Sequence, residues 1–275
     1  MIRIITDSTC EILPEEAIKL NIDIIPCSVA FDNISYKDKI DIDNKTFYEK
    51  LETCTTLPVT SQPSPYDFYE VFKKYQDDQI IGLFLSSKLS GTFQSALIAK
   101  DMFDKNDNIH LIDTFNLTVA NTLLVNEAIK LRDKNSSVEN IVNHINDLIP
   151  RIKLIAYVDT IKYLKMGGRV SGMKALLAQS LSLSPIIGIE DGLIVNLDKA
   201  RGKKKANTIF EQFIEKYPVD TNYEIAYAHA NCIDDLNKLM EILALPNKQS
   251  INEIGPVIGT HTGPKAYGIA YITTK

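Results

Sequence analysis

Cysteine is scarce and scattered in this chain. Cys10, Cys27, Cys54 and Cys232 form no C-x-x-C pair, and none has a histidine at ligand spacing. A disulfide framework or a zinc site needs such pairing, so the four read as free buried thiols and no metal is expected. Long apolar runs are also missing. The nearest, IIGLFL at residues 80–85, has the length of a buried strand and falls far short of the roughly 20 residues of a spanning helix. No excess of basic residues exists: 30 Lys and Arg against 35 Asp and Glu give a net charge of -5, which argues against a nucleic-acid partner. Two catalytic signatures are absent, the G-x-x-x-x-G-K-[ST] phosphate loop and the G-x-S-x-G nucleophile turn. The start, MIRIITDSTC, reads as a strand without a leader pattern, so the expected location is the cytoplasm.

What is present is a chain of 275 residues with 45% hydrophobic and 24% charged residues, a globular composition. Short β-branched runs (IRIIT, IDII, IIGLFL, IHLID) alternate with helical patterns from Pro14, Asp43, Ser64, Ser90 and to about Arg132 and Leu148. That alternation predicts an α/β fold with a mostly parallel sheet in an N-terminal domain, residues 1–150. A smaller mixed α+β C-terminal domain, residues 151–275, follows. There, short helices are expected near residues 161–166 and 173–180. PIIGI and LIVNL should form a hairpin through Asp191-Gly192, and a helix should run from Gly202 to Lys216. Strands YEIAYAH, SINEIG and AYGIAYITT and a helix at 233–243 complete the two-lobed reading.

Four polar clusters fall at strand ends or turns, where open α/β sheets place ligands: Asp7-Ser8-Thr9, Thr60-Ser61-Gln62, residues 86–92, and His261-Thr262-Gly263. Ser64, with Pro65 behind it, already caps the helix after the second cluster, which leaves Thr60, Ser61 and Gln62 surplus to that task. Taken singly, each cluster has a plain structural reading: Asp7 or Ser8 and Ser90 as helix caps, His261 as a loop histidine. Ser90, His261 and Asp7 also have the residue types of a hydrolase triad, nucleophile, base and orienter, provided they lie in hydrogen-bond reach. Ser90 before Gly91 at a helix start equally suits an anion holder.

TDST at 6–9, TSQPSP at 60–65, SSKLSGTFQSA at 86–96, YLKMGGRVS at 163–171, RGKKKA at 201–206 and IGPVIGTHTGP at 254–264, in this order, resemble the motif set of the DegV family. The resemblance implies a non-catalytic protein that holds one long-chain fatty acid between two lobes, with no other cofactor. It further implies that the carboxylate is presented to a separate ATP-dependent fatty acid kinase forming acyl phosphate, with transient membrane contact for lipid exchange. Residue by residue it puts the carboxylate on Thr60, Ser90 and His261, supported by Ser61, Gln62, Gly91, Thr92 and Thr262. Arg169 stands open between contact with the kinase or its phosphate and a solvated surface role. Lys203, Lys204 and Lys205 read as a solvated helix start. A tail of about 14 methylenes offers roughly 11 kcal/mol gross against association costs of about 4–15 kcal/mol, so an enclosing apolar tunnel is required. Lys265, Met166 and the stretch IDTFNLTVAN at 112–121 depart from the usual pattern and put chain-length preference and the kinase contact in question.

Overall fold

The computed structural model describes residues 1–170 and 184–274. The helix expected at 173–180, and Ser171 of the YLKMGGRVS motif, lie outside these residues. The first sheet is all parallel, in the order β2 (Ile22–Ile25), β1 (Ile2–Asp7), β6 (Gln79–Phe84), β7 (Ile109–Asp113). Its strands read as continuous apolar runs because both faces are covered. On one face, Ile5, Ile80 and Phe84 meet Phe68 and Phe72 of α3 (Pro65–Lys74) and Ala96 and Ala99 of α4 (Thr92–Asp101). On the other, Ile4, Ile81 and Leu83 join the core built around α5 (Thr118–Asp133).

The second sheet is mixed, in the order β10 (Leu193–Ala200), β9 (Ser184–Glu190), β8 (Ile152–Tyr157), β13 (Tyr267–Ile272), β11 (Ile225–His229), β12 (Gln249–Glu253). Only β11 and β12 run parallel. One face packs Tyr157, Tyr227, Tyr267 and Tyr271 with the helices α8 (Lys203–Lys216) and α9 (Ile233–Leu243). The other presents Leu154, Ile187, Ala228 and Ala270 to the same core as α5. This explains why α5 is buried nearly all round, through Val119, Ala120, Leu123, Leu124, Val125 and Ala128. The fold is thus the expected α/β arrangement of a parallel and a mixed sheet.

The expected elements hold in most places. Helices α1 (Pro14–Leu20), α2 (Asn44–Thr53), α6 (Val138–Leu148) and α7 (Lys162–Met166) form where the pattern puts them. Ser64 caps α3 in a reciprocal box with Asp67. Asp191 and Gly192 take φ of 49° and 79° in the β9–β10 turn. Three features differ. Helix α4 starts at Thr92 with Gly91 as its N-cap, so Ser90 lies before the helix and its hydroxyl accepts from the Thr92 N–H at 3.3 Å. Thr60 and Ser61 lie in a strand: β3 (Ser28–Phe31), β4 (Ile34–Lys37) and β5 (Val59–Ser61) make a small antiparallel sheet, its β3–β4 turn formed by Asp32 and Asn33 at positive φ. His261 lies in the last turn of α10 (Pro256–Thr262), not in a loop.

Helix α10 contains Gly259, which disfavours helix by about 1 kcal/mol, so local preference alone argues against it. Packing reverses the outcome, since a Cβ at Gly259 would stand 2.7 Å from the Phe47 ring and 3.0 Å from the Tyr48 hydroxyl of α2. The Tyr48 hydroxyl also donates to Ile254 O at 2.8 Å. Beside it, Lys39 Nζ meets Glu11 Oε2 at 2.8 Å, with 4% and 0% of the two side chains exposed. Glu11 also accepts from Thr118 Oγ1 at 3.1 Å and from the Gly255 N–H at 2.9 Å, while Lys39 donates to Ser8 O at 2.6 Å. One ion pair therefore joins the end of β1, the start of α5 and the start of α10.

Removing one member of a buried pair strands the other charge. Lys39→Met should lower the unfolding free energy by about 3–5 kcal/mol in urea titration; a loss below about 1 kcal/mol would show that the pair is not a structural tie.

Candidate functional site

A cavity of about 330 Å³ lies where β5, the loop after β6, the segment after α7 and the last turn of α10 converge. Thr60, Ser61, Gln62, Ser90, His261 and Thr262 all line it, so the strand-end clusters that stood apart in sequence meet in space. Gly91 and Thr92 stand behind the wall. Gln62 Nε2 donates to Gly91 O at 3.2 Å and to Ser95 Oγ at 2.9 Å, and a Cβ at Gly91 would fall 2.1 Å from Gln62 Oε1. Thr92 shares a 2.9 Å hydrogen bond with Ser90 Oγ. The rest of the wall is aliphatic, including Leu85, Leu89, Leu164 and Val257.

A second hollow of about 50 Å³ continues between α5 and the mixed sheet, lined by Leu154, Ala156, Ile187 and Ile269. Leu117, Ile194, Ile258 and Thr262 line both spaces. The site is a polar chamber that leads into hydrocarbon.

His261 Nε2 and Thr60 Oγ1 lie 2.9 Å apart. Burial, followed by the positive charge of Arg169, lowers the imidazole to about 4, so it is neutral at neutral pH. Its Nδ1 is buried without a partner, close against Gly167, where a Cβ would come within 2.1 Å. Arg169 lines the chamber, half-buried, with Nε donating to Leu89 O at 3.3 Å and Nη1 to Gly167 O at 2.5 Å. The solvated surface reading of Arg169 is therefore corrected: its guanidinium faces the cavity because two backbone carbonyls hold it there.

The triad is not assembled. Ser90 bonds Thr92, and His261 bonds Thr60. Asp7 is fully buried and accepts from the Leu85 N–H at 2.9 Å and from both the N–H and hydroxyl of Thr9. Nucleophile, base and orienter thus have separate partners, and Asp7 acts as the helix cap that the pattern allowed, at the start of the single 3-10 turn Ser8–Cys10. Among the described residues no cluster of His, Cys, Asp or Glu is arranged to hold a metal, the four cysteines are free, and no helix is long and apolar enough to cross a membrane.

A family model described as "Uncharacterised protein, DegV family" matches residues 1–274. The chain belongs to the DegV family. A DegV domain-containing protein of Caldanaerobacter subterraneus is 37% identical to it, with 98% of each chain covered. Among solved structures, a DegV family protein of Thermus thermophilus described by its fatty acid binding superposes at a TM-score of 0.90 with 28% identity, 99% of both chains covered. DegV of Bacillus subtilis, described as a fatty acid binding protein, superposes at 0.87 with 30% identity over 99% of both chains.

Within this DegV chain, several wall residues were not legible as functional. Leu117, Ile194 and Ile258 are ordinary aliphatics in sequence, and nothing in their local pattern separates a tunnel wall from a packed core. Thr9 also lines the chamber, and the TDST motif did point to its neighbourhood.

The His261 shift gives a pH dependence. Its folded value lies below the unfolded value of about 6.5, so the stabilisation from a neutral imidazole is complete above about pH 6.5 and is lost as pH falls toward about 4. In lipid-free protein, the stability advantage of wild type over His261→Gln should shrink across that window, and the His261 ring should titrate by NMR near pH 4. A midpoint near 6.5 would mean that the ring is solvated. Gly167→Ala, which crowds Nδ1, should displace the ring and raise that midpoint.

Proposed function

We propose that this protein holds one long-chain fatty acid, with its carboxylate in the polar chamber and its tail in the hydrocarbon space between the sheets. The observation that carries this reading is the junction of the two spaces, which share Leu117, Ile194, Ile258 and Thr262. A buried carboxylate needs several donors or a counter-charge. Thr60 and Ser90 supply hydroxyls, the neutral His261 supplies one ring N–H, and Arg169 supplies the positive charge. Ser61, Gln62 and Thr262 complete the chamber, while Gly91 and Thr92 hold Ser90 in place. The fatty-acid-binding descriptions of the Thermus and Bacillus relatives support the same ligand class.

The second part of the proposal is presentation. The family resemblance supports a cytoplasmic, non-catalytic subunit that offers the bound carboxylate to a separate ATP-dependent kinase, which forms the acyl phosphate. Arg169 then serves the transferred phosphoryl group as well as the carboxylate, because its planar fork suits either anion. The carboxylate oxygen would attack the γ-phosphorus of ATP, and ADP would leave with the bonding electron pair.

Protein purified from cells should carry an acyl chain visible by native mass spectrometry and organic extraction. No bound acid, together with no thermal shift on adding one, would overturn the reading. Thr60→Ala and Ser90→Ala should each weaken binding by about 2 kcal/mol, roughly thirtyfold, since each removes a hydrogen bond to a charged group. ATP consumption by the purified chain without a second protein would refute the non-catalytic assignment.

A further inference from the structure

The Thr60 and Ser90 hydroxyls on the chamber wall each have one side-chain partner. Thr60 Oγ1 meets His261 Nε2 at 2.9 Å, and Ser90 Oγ meets Thr92 Oγ1 at 2.9 Å. A hydroxyl has one proton and two lone pairs, whereas an ionised carboxylate only accepts. Thr60 and Ser90 therefore serve an acid head only if their protons are left free for it, which requires each partner to donate rather than accept. The surroundings of both pairs meet that condition.

His261 is neutral, so its ring carries one N–H and one lone pair. Nδ1 has no hydrogen-bond partner among the described residues, and a Cβ on Gly167 would fall 2.1 Å from it. The glycine hydrogen standing in that Cβ's place thus points at Nδ1. A C–H suits a lone pair, while an N–H there would be a buried donor without an acceptor and would crowd that hydrogen. The proton belongs on Nε2, which donates it to Thr60 Oγ1 and leaves the Thr60 proton for the chamber. Thr92 is wholly buried and approaches Ser90 Oγ twice, with its N–H at 3.3 Å and its hydroxyl at 2.9 Å. When Thr92 donates through both, the two Ser90 lone pairs are filled and only the Ser90 proton is left to act. Thr92 Oγ1 in turn lies 4.0 Å from Cys27 Sγ. Burial pushes that thiol up, so at neutral pH it keeps an S–H with which to donate weakly to Thr92.

We infer that His261 and Thr92 are positioning residues that commit the Thr60 and Ser90 protons to the carboxylate, His261 as the Nε2–H tautomer and Thr92 through its hydroxyl. The ring N–H of His261 then reaches the anion through Thr60, and Thr92 contributes although it stands behind the wall. Aligned donors of this kind polarise one another, which makes each terminal O–H a better donor. The inference rests on the fatty-acid reading above and adds the direction of its hydrogen bonds.

The test uses protein loaded with hexadecanoic or octadecanoic acid at neutral pH. With nitrogen-15 in the histidine rings, and His261→Gln to assign the signal, NMR should show a protonated Nε2 and an unprotonated Nδ1 on His261. A protonated Nδ1, alone or together with Nε2, would overturn the His261 assignment. Thr92→Val should weaken the acid about fivefold, the fold-change of one ordinary hydrogen bond, and Thr92→Ser should restore most of the affinity. Unchanged or tighter binding by Thr92→Val would overturn the Thr92 assignment, because removing a Thr92 that accepts from Ser90 would free the Ser90 proton. Should Thr92→Val fail to fold, neutron diffraction from the loaded wild type reads the same proton. A Thr92 hydroxyl deuteron on the line to Ser90 Oγ supports the assignment, and one directed at Cys27 overturns it. Failure of the wild type to bind either acid would overturn the fatty-acid reading and this inference with it.

Discussion

The buried Glu11–Lys39 pair is the constraint on which the site depends. Burial works against the Lys39 charge, yet Glu11 and Asp38 beside it outweigh that and hold the ammonium above its ordinary pKa. Asp38 is itself buried and pushed up to about 6, with Lys39 and the Ser8 hydroxyl partly offsetting the effect of burial. Such a cluster contributes little net stability compared with apolar packing, but Glu11 accepts from Lys39, Thr118 and Gly255 together and so ties three distant segments to one carboxylate. Here it fixes two pieces of the site at once. The Gly255 N–H on Glu11 sets the start of α10, which ends in His261 and Thr262. The Thr118 hydroxyl on the same carboxylate sets the start of α5, just after Leu117 at the junction of chamber and hollow. Gly255 has no room for a side chain, since a Cβ would lie 2.5 Å from Lys39 Cε.

The dryness that demands this pair also sets the chemistry of the chamber. The same removal of water that keeps Lys39 paired keeps His261 neutral, so the imidazole is a hydrogen-bonding group and Arg169 is the charged one. A neutral donor beside a fixed cation stabilises an anion without the cost of burying two unpaired positive charges. Hydroxyls from a strand, a loop and a helix end then need only converge. They do so because β5 carries Thr60 alongside Val29 of β3 and because the Gln62 amide clamps the Gly91 turn.

How much of this was legible from residues follows their physical character. The parallel sheet was readable because strands buried on both faces must be continuously apolar, and the β9–β10 hairpin was readable because Asp191-Gly192 tolerates positive φ. The third sheet was missed: β5 has three residues, too few to show alternation, and Asp32-Asn33 is a weaker turn signal than Asp-Gly. Helix α10 was missed because Gly259 within it disfavours helix, while the reason for that glycine, close approach to Phe47 and Tyr48, lies some two hundred residues away. The motif resemblance brought forward Thr60, Ser90 and His261, but the orientation of Arg169 rests on Leu89 O and Gly167 O, and backbone carbonyls leave no mark in a motif.

By itself, then, the order of residues determined the alternation of strands and helices, the main turns, the capping at Ser64 and the family pattern, because each depends on neighbours a few positions apart. The tertiary structure alone decided that Glu11 meets Lys39, that Arg169 turns inward, and that Leu117, Ile194 and Ile258 line a hollow rather than fill one. Those outcomes depend on groups brought together from distant parts of the chain, where the loss of water and the shape of the facing surface, not local preference, set the energy.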